Sequence, residues 1–230
     1  MNDKIINTIL DKYSFTSNER IEFKKMIYPI FISPNFQQRL KKNFPHHGKI
    51  PLGEHILCDA AVTYKLCQKN SYKKTNRKLA VIIAMMHDLY TSPWKTKNNK
   101  KRKFYNYHAF RHPLEAVINS ISWYPEYFKN LDDAKIIIDG IIHHMFPLPV
   151  RRIDDCNLQL EDKKLYEIIP NSLKNIIYKS SNNGICIWHF SLSKPEYREG
   201  KLVSKADKRV SILNDTLLSI KLKIYKIFKY

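Results

Sequence analysis

The segment "AVIIAMM", residues 80–86, is the feature that most constrains the fold of this chain. It belongs to "NRKLAVIIAMMHDL" (76–89), which is nearly all apolar after its first turn. A helix with this composition has no face suited to water, so it lies at the centre of a domain. The segment closes on His87 and Asp88, an imidazole beside a carboxylate. It therefore predicts a buried helix that carries two polar side chains at its end.

Helical spacing of apolar residues extends over almost the whole chain and predicts an all-α fold. The predicted helices, besides 76–89, are 17–31 with Ser17 as N-cap, 53–67, 112–124 with Pro113 in its first turn, and 131–146 ending in His143-His144. In the helix 53–67, His55, Asp59, Val62 and Leu66 share one face. Prolines interrupt residues 147–200, where 182–191 forms either a short strand or an irregular loop.

A stripe of apolar residues at steps of three and four predicts that the last helix is the longest. Its members are Val203, Ala206, Val210, Leu213, Leu217, Ile220, Ile224 and Ile227. The stripe fits a coiled-coil seam in a homodimer. It also fits the last helix of a bundle packed on its own core, and we favour this second interpretation.

Composition indicates a cytoplasmic protein with anionic partners. The net charge of +19 favours nucleotides, nucleic acid or acidic lipid, although a solvated basic surface explains it equally well. The four cysteines form no CxxC pair and predict free thiols in a reducing compartment. The N-terminus lacks the apolar core of a signal peptide. No apolar run approaches the roughly 20 residues that a membrane span requires, so no membrane association is expected.

The histidines and several aspartates lie on or beside apolar helical stripes, mostly at helix ends. In chain order these polar residues are His55, His87, Asp88, His112, His143 or His144, and Asp207. A polar group without a partner is costly in a core, and a bound metal ion would satisfy imidazoles and carboxylates together. Taken singly, each is more often a hydrogen-bonded core residue. Asp207 alone would equally suit a salt bridge with Lys205 or Arg209.

His87 and Asp88 point about 100° apart if both are helical. Both side chains still reach one site if that site lies at the end of the helix. A carboxylate in such a crevice is able to bridge two metal ions, because each oxygen binds separately. Two metal ions a few ångströms apart are suited to hydrolysis of a phosphate ester.

Five blocks of the sequence resemble the HD superfamily of metal-dependent phosphohydrolases, and in particular a bacterial subgroup of uncharacterised HD-domain hydrolases. The blocks are "HHGKIPLGEH", "MMHDLYTSPW", "YHAFRHPLEA", "IIHHMFPL" and "YREGKLVSKADK". They follow one another in register over roughly residues 40 to 215. The resemblance implies a helical bundle with a metal site at its centre.

The resemblance also implies roles for individual residues. The first metal ion would be held by His55, His87, Asp88 and Asp207, with Asp88 bridging. His112 and His144 would complete a second position, with His143 as the alternative to His144 and His108 as a further candidate. Asp88, His112 and Lys208 would be the catalytic residues, with Lys208 contacting a phosphate.

The chain departs from the subgroup in two places, which gives the predicted domain organisation. Residues 1–40 match no block and are interpreted as an N-terminal helical extension to an HD-type domain over 41–230. Residues 150–196 replace a short connection, and "LEDKKLYEIIPNSLKNIIYKSS" within them is expected to be helical. This insertion caps the site, contacts a partner, or has no functional role.

The predicted activity is hydrolysis of a phosphoester in a nucleotide, a cyclic nucleotide or a cyclic dinucleotide by metal-activated water. Mixed imidazole and carboxylate ligands suit Mn, Fe, Co, Ni or Zn. Candidate substrate contacts are His108, Arg111, Arg151, Arg152 and Lys208 for phosphate, and Trp94, Tyr105, Tyr107 and Phe146 for a base. Ordinary surface charge and core packing explain these residues as well. A nuclease acting on single strands and a non-catalytic binding module are the alternatives, and "KTKNNKKRK" (95–103) is expected at the pocket rim.

Overall fold

The structure is a computed structural model that describes residues 3–41, 45–46, 50–91, 107–153 and 160–227. Side chains are described as far as Ile212, apart from Pro45 and residues 160–162. The α-helices are α1 (Asp3–Lys12), α2 (Ser17–Phe31), α3 (Pro34–Arg39), α4 (Leu52–Cys67), α5 (Arg77–Met86), α6 (His108–Trp123), α7 (Leu131–Ile142), α8 (Leu160–Ile168), α9 (Asn171–Ser181) and α10 (Arg198–Ile227). The predicted all-α class is confirmed to the extent that the described chain is mostly helical.

The remaining elements are short. Two 3-10 helices span Asn70–Tyr72 and Pro125–Phe128. Strands β1 (Pro45–His46) and β2 (Ile50–Pro51) pair antiparallel, with His46 opposite Ile50. Strands β3 (Val150–Arg151), β4 (Ile185–Ile187) and β5 (Phe190–Leu192) form an antiparallel sheet in the order β3-β5-β4. The alternative left open for 182–191 is therefore resolved in favour of a hairpin.

Helix α5 is the centre of the fold, as its sequence predicts. Every residue from Leu79 to Met86 is buried. α5 packs against α2, α4, α7 and α10, which surround it with apolar side chains. Asn76 is the N-cap residue of α5, and its side-chain oxygen accepts a hydrogen bond from the backbone N–H of Leu79 at 3.2 Å. His87 is the C-cap residue, so the polar pair stands where the helix ends.

Three predicted helix details are wrong. Thr16, not Ser17, caps α2, since its hydroxyl accepts from the N–H of Glu19 while that carboxylate accepts from the N–H of Thr16. α6 begins at His108, so Pro113 lies inside the helix, beyond its first turn. α7 ends at Ile142, ahead of the predicted end, because the chain turns before Pro147, which is unable to continue a helix.

The predicted helical character of residues 160–181 is confirmed by α8 and α9. α8 packs against α6, and α9 packs against α7. The N-terminal helices α1, α2 and α3 contact α4 and α5, and their apolar residues belong to the same hydrophobic cluster. The domain boundary at residue 40 and the limits of the insertion stay predictions.

The last helix, α10, packs on α4, α5 and α7. Within its described part, Val203, Ala206 and Val210 are buried against the other helices, in agreement with packing on the chain's own core. The stripe from Leu213 onward lies outside the described side chains, and the homodimer stays a prediction. Cys58, Cys67 and Cys186 are free thiols, as predicted; Cys156 is outside the described residues. No helix in the described ranges combines the length and the apolar character that a bilayer crossing needs.

α7 and α10 approach each other closely at two glycines. A Cβ atom built on Gly200 would lie 2.8 Å from the Cα of Gly140, and one built on Gly140 would lie 3.2 Å from the Cα of Gly200. In each case the atom of the facing helix is backbone and is unable to move aside. The side chains of Ile83, 2.9 Å from the Cβ built on Gly140, and Pro195, 2.9 Å from that built on Gly200, crowd the crossing further. The crossing sets the position of α10, which contains Asp207, relative to α7, whose C-terminal end is followed by His143 and His144.

We expect Gly200→Ala to destabilise the protein. Alanine favours a helix by about 1 kcal/mol, but the clash costs about 2–3 kcal/mol, the upper part of the range for overpacking, because the Gly140 backbone is unable to move aside. The net loss is therefore about 1–2 kcal/mol. Chemical denaturation measures the free energy of unfolding. Lys201→Ala is the control, because the neighbouring side chain is exposed and its loss changes stability by less than about 0.5 kcal/mol. An unchanged or increased stability of Gly200→Ala would contradict the crossing.

Candidate metal centre

The ends and inner faces of five helices bring seven polar side chains together at the centre of the fold. His55 and Asp59 lie on α4, one turn apart. His87 and Asp88 follow α5, His112 lies on α6, His144 follows α7, and Asp207 lies on α10. We call these seven residues the central cluster. All of them are buried, with Asp207 the most exposed at 7%.

The carboxylate of Asp88 lies between four imidazoles. Its Oδ2 is 3.6 Å from the Nε2 of both His55 and His87. Its Oδ1 is 3.2 Å from the Nε2 of His112 and 3.5 Å from the Nε2 of His144. Within 3.6 Å, each oxygen therefore has its own pair of imidazoles.

Two further carboxylates complete the side of the cluster that contains His55 and His87. The Oδ2 of Asp59 is 2.9 Å from His55 Nε2 and 3.4 Å from His87 Nε2. The Oδ1 of Asp207 is 3.4 Å from His55 Nε2. One ligand atom from each of these four residues lies within 4.8 Å of all the others, a separation suited to a shared metal ion.

Backbone carbonyls at helix ends orient three of the imidazoles. The Nδ1 of His87 lies 2.7 Å from the carbonyl of Ala84, and the Nδ1 of His144 lies 2.7 Å from that of Ile141. The Nδ1 of His112 lies 3.2 Å from the carbonyl of His108. A carbonyl only accepts hydrogen bonds, so each Nδ1 carries the proton. In the neutral ring the Nε2 lone pair then points into the cluster, as metal ligation requires.

The chain that follows α5 is held from two sides. Asn119 on α6 donates from its side-chain nitrogen to the carbonyl of Leu89 at 2.7 Å. Arg39 on α3 donates to the carbonyl of Tyr90 at 3.2 Å. These hydrogen bonds fix the segment directly after Asp88, so the carboxylate keeps its place among the imidazoles.

The cluster fits a divalent metal ion on the chemistry of its own atoms. The Nε2 atoms of His55 and His87, both oxygens of Asp59 and the Oδ1 of Asp88 are buried and make no hydrogen bond. The Nε2 atoms of His112 and His144 face each other at 3.1 Å. Buried lone pairs without donors cost free energy, and a cation among them removes that cost. Nitrogen and oxygen ligands together suit Mn, Fe, Co, Ni or Zn.

The ionisation of the metal-free cluster follows from this crowding. Burial lowers the pKa of His87, but the carboxylates of Asp88 and Asp59 outweigh it and raise the pKa to about 9. For His55, burial is likewise outweighed by Asp59 and Asp207, and its pKa is well above the usual value. Burial raises the pKa of the Asp88 carboxyl, but His87 and His112 outweigh this and hold the pKa well below its usual range. In the absence of metal, protons take the place of the cation.

The structure brings together all six residues predicted as metal ligands. It places His144 in the cluster and His143 outside it, because the Nδ1 of His143 is hydrogen-bonded to Asp139 Oδ1 at 2.9 Å. Asp59 belongs to the cluster but was not predicted as a ligand. Its position four residues after His55 on one helical face was the signal for it.

Two more histidines lie at the edge of the cluster. The ring of His46 stacks on that of His55, with centroids 3.9 Å apart, and its Nδ1 is 3.8 Å from Asp88 Oδ2. His46 comes from the short strand β1, where no helical spacing marks it in the sequence. His108 is buried beside His112, with ring centroids 5.1 Å apart.

The predicted substrate contacts are placed in different surroundings. Arg111 is buried and paired with Glu115 on the same helix, at 2.5 Å. Arg151 is buried on β3, and Arg152 donates to the side-chain oxygen of Asn182 at 2.5 Å. Lys208 is exposed, with its Nζ 5.9 Å from the centre of the Phe146 ring. Tyr107 is exposed at the start of α6. Trp94, Tyr105 and residues 95–103 lie outside the described residues.

Comparison of the chain with models of protein families, with curated proteins and with solved structures finds no match. Interpretation of the site therefore depends on its own geometry and on the resemblance of the sequence blocks.

We expect Asp59→Asn to weaken binding of zinc to the metal-free protein by at least about tenfold, the usual effect of disturbing a metal ligand or its partner. The amide keeps the shape of the side chain and removes its charge. Isothermal titration calorimetry measures the dissociation constant. Asp133→Asn, a change at a half-buried position in the first turn of α7, is the control and should leave the affinity unchanged. Equal affinities for the two variants would exclude Asp59 from the site.

The pKa of His87 predicts how the stability of the metal-free protein depends on pH. His87 faces Asp59 and His55 from α4, Asp88 beside it, Asp207 from α10 and His144 after α7. Because its pKa is about 9 when folded and about 6.5 when unfolded, its stabilising contribution is complete below pH 6.5 and is lost as pH rises toward 9.

The melting temperature of chelator-treated protein should therefore be lower at about pH 9 than at about pH 6. Added zinc should abolish or reverse this trend, since a metal ion competes with the protons. His87→Gln should flatten the dependence of the metal-free protein. A metal-free protein that melts higher at the alkaline pH would show that the imidazoles are not protonated in the fold.

Proposed function

We propose that this protein is a metal-dependent phosphohydrolase of the HD class that cleaves a phosphoester bond. The observation that carries the proposal is the Asp88 carboxylate, whose two oxygens each face a separate pair of imidazoles at 3.2 to 3.6 Å. This arrangement suits a carboxylate shared between two cations. The five sequence blocks that resemble HD-domain hydrolases give the same assignment independently.

In the proposed site, His55, His87, Asp59 and Asp207 would hold one cation together with Asp88. His112 and His144 would hold the second, also with Asp88. Divalent ions in such a pair lower the pKa of water toward neutrality and offset the charge that develops on phosphoryl oxygens.

The chain itself supplies the orientation. The carbonyls of Ala84 and Ile141 hold His87 and His144 in the tautomer that presents Nε2. Burial of the cluster keeps the local dielectric low, which strengthens attraction of an anionic substrate. Lys208 directly follows Asp207 and is exposed on α10, and we assign it the contact with a phosphate. We assign a nucleotide or cyclic dinucleotide as the general type of substrate, and a reducing cytoplasm as the setting.

Two alternatives remain distinct from this proposal. A nuclease uses the same metal chemistry on a polymer. A non-catalytic module keeps the histidines and aspartates to bind a metal ion or to stabilise the core, and would hydrolyse nothing.

The decisive experiment compares hydrolysis of bis(p-nitrophenyl) phosphate by the wild-type protein and by Asp88→Asn. Both are chelated and then reloaded with Mn, Fe, Co, Ni or Zn. We expect metal-dependent hydrolysis by the wild type and a loss of at least about a hundredfold in the variant, since one carboxylate serves both cations. Elemental analysis should show less bound metal in the variant.

Asp139→Asn is the matched control, since Asp139 is a buried aspartate paired with a histidine outside the cluster. It should keep most of the metal content and most of the activity. Circular dichroism establishes that both variants fold. A wild-type protein that binds no metal after reloading would overturn the proposal. Metal binding without hydrolysis of any phosphoester in a nucleotide panel would favour the non-catalytic module.

A further inference from the structure

A cationic pocket of about 490 Å³ lies between the first part of α10 and the segment that follows α7. Its lining includes Lys194, Lys201, Lys205, Lys208, Arg209 and Phe146. None of the lining residues in the described part of the chain is acidic. We call this feature the basic pocket.

The positive charges of the basic pocket have no carboxylate partner within the described ranges. The Nζ of Lys201 donates to the backbone carbonyl of Glu196 at 2.8 Å, and that of Lys205 to the hydroxyl of Tyr72 at 2.8 Å. Lys208 lies over the ring of Phe146. Neutral acceptors and an aromatic face orient these amines without cancelling their charge. Five like charges around one cavity repel one another, and a bound polyanion would relieve that repulsion.

The spacing of the cations indicates a ligand with several charges in a row. Lys201, Lys205 and Lys208 are separated by steps of four and three, so they follow one face of α10. They extend over about 10 Å at 1.5 Å per residue. A single phosphate occupies one of these positions, whereas a strand carries a charge at each repeat. Phe146 adds an aromatic surface at the side of the row, and a basic groove with an aromatic platform is the usual means of binding a single strand.

Both walls of the basic pocket contain residues that are close in sequence to members of the central cluster. Lys208 directly follows Asp207, which points inward from the same turn of α10. Phe146 comes two residues after His144. A strand bound along Lys201, Lys205 and Lys208 would therefore have its phosphates beside the two segments that supply these cluster residues.

We propose that the basic pocket binds single-stranded nucleic acid, and that the substrate of the metal centre is a phosphodiester bond of such a strand in place of a free nucleotide or cyclic dinucleotide, so that the nuclease is the favoured form of the phosphohydrolase. The first statement stands on the pocket alone. The second rests on the proposed phosphohydrolase function.

The test measures fluorescence anisotropy of a labelled oligothymidylate with the full-length, metal-free protein at a series of salt concentrations. We expect Lys201→Ala/Lys205→Ala to weaken binding by at least about tenfold at low salt. Each phosphate contact contributes about 0.7 to the slope of log affinity against log salt for a single strand, so the slope should fall by about 1.4. Lys201→Glu/Lys205→Glu should weaken binding further.

Lys163→Ala/Lys164→Ala is the matched control, because it removes the same charge from exposed positions on α8. It should change the affinity by less than about twofold if binding is local to the pocket. Equal weakening by both double variants would mean that net charge alone attracts the strand, and would overturn the proposal. Inorganic tripolyphosphate that competes as well as the oligonucleotide would overturn it too, in favour of a small polyanion.

Binding of the strand by the basic pocket and its cleavage by the metal centre are tested separately. The Asp88→Asn variant should bind the oligonucleotide as tightly as the wild type, since binding does not require metal. The metal-loaded wild-type protein should cleave the oligonucleotide, and the Lys201→Ala/Lys205→Ala variant should cleave it with a raised KM. Binding that maps to the pocket without any cleavage of the strand would refute the substrate assignment and leave the binding site intact.

Discussion

The attraction between one buried carboxylate and the four imidazoles around it is the interaction on which the site depends. Asp88 reaches the centre only because α5 is apolar on every face and ends there. The other polar groups of the central cluster come from α4, α6 and α10 and from the residue that follows the end of α7, and they surround the Asp88 carboxylate. Removing seven such groups from water is unfavourable unless opposite charges neutralise one another, whether those charges are protons or metal ions. The buried carboxylates at the centre of the fold therefore require cations, either protons or metal ions, to neutralise them.

Helix termination contributes as much to this site as the side chains do. The last carbonyls of a helix lack partners within that helix, and the imidazoles of His87 and His144 use two of them. Each of these hydrogen bonds therefore satisfies a buried carbonyl at the end of a helix, sets a tautomer and directs a lone pair. The same principle explains why His143 and His144 have different surroundings, although they are adjacent. One bonds to the side chain of Asp139 and the other to a main-chain carbonyl.

The helical class, the central helix and six members of the cluster could be predicted from the sequence, because apolar periodicity and polar exceptions to it are local signals. Asp59 had such a signal, because it lies four residues after His55 on the same helical face. The spacing in the sequence did not show, however, that α5 and α10 pack beside it. His46 had none, since a two-residue strand has no periodicity. Arg111 illustrates the opposite case. Its charge suggested a phosphate contact, and only the three-dimensional structure reveals the buried Glu115 beside it.

The contact between Gly140 and Gly200 restricts the length of the segment between Gly200 and Asp207. Gly200 fixes where α10 crosses α7, and Asp207 follows two turns later in the same helix. One residue inserted or deleted between them would rotate Asp207 by about 100° and shift it by about 1.5 Å, away from His55. Substitutions on the exposed side of this interval leave that geometry unchanged. Among natural variants of this protein, the length of the interval should therefore not vary, whatever residues occupy its exposed positions.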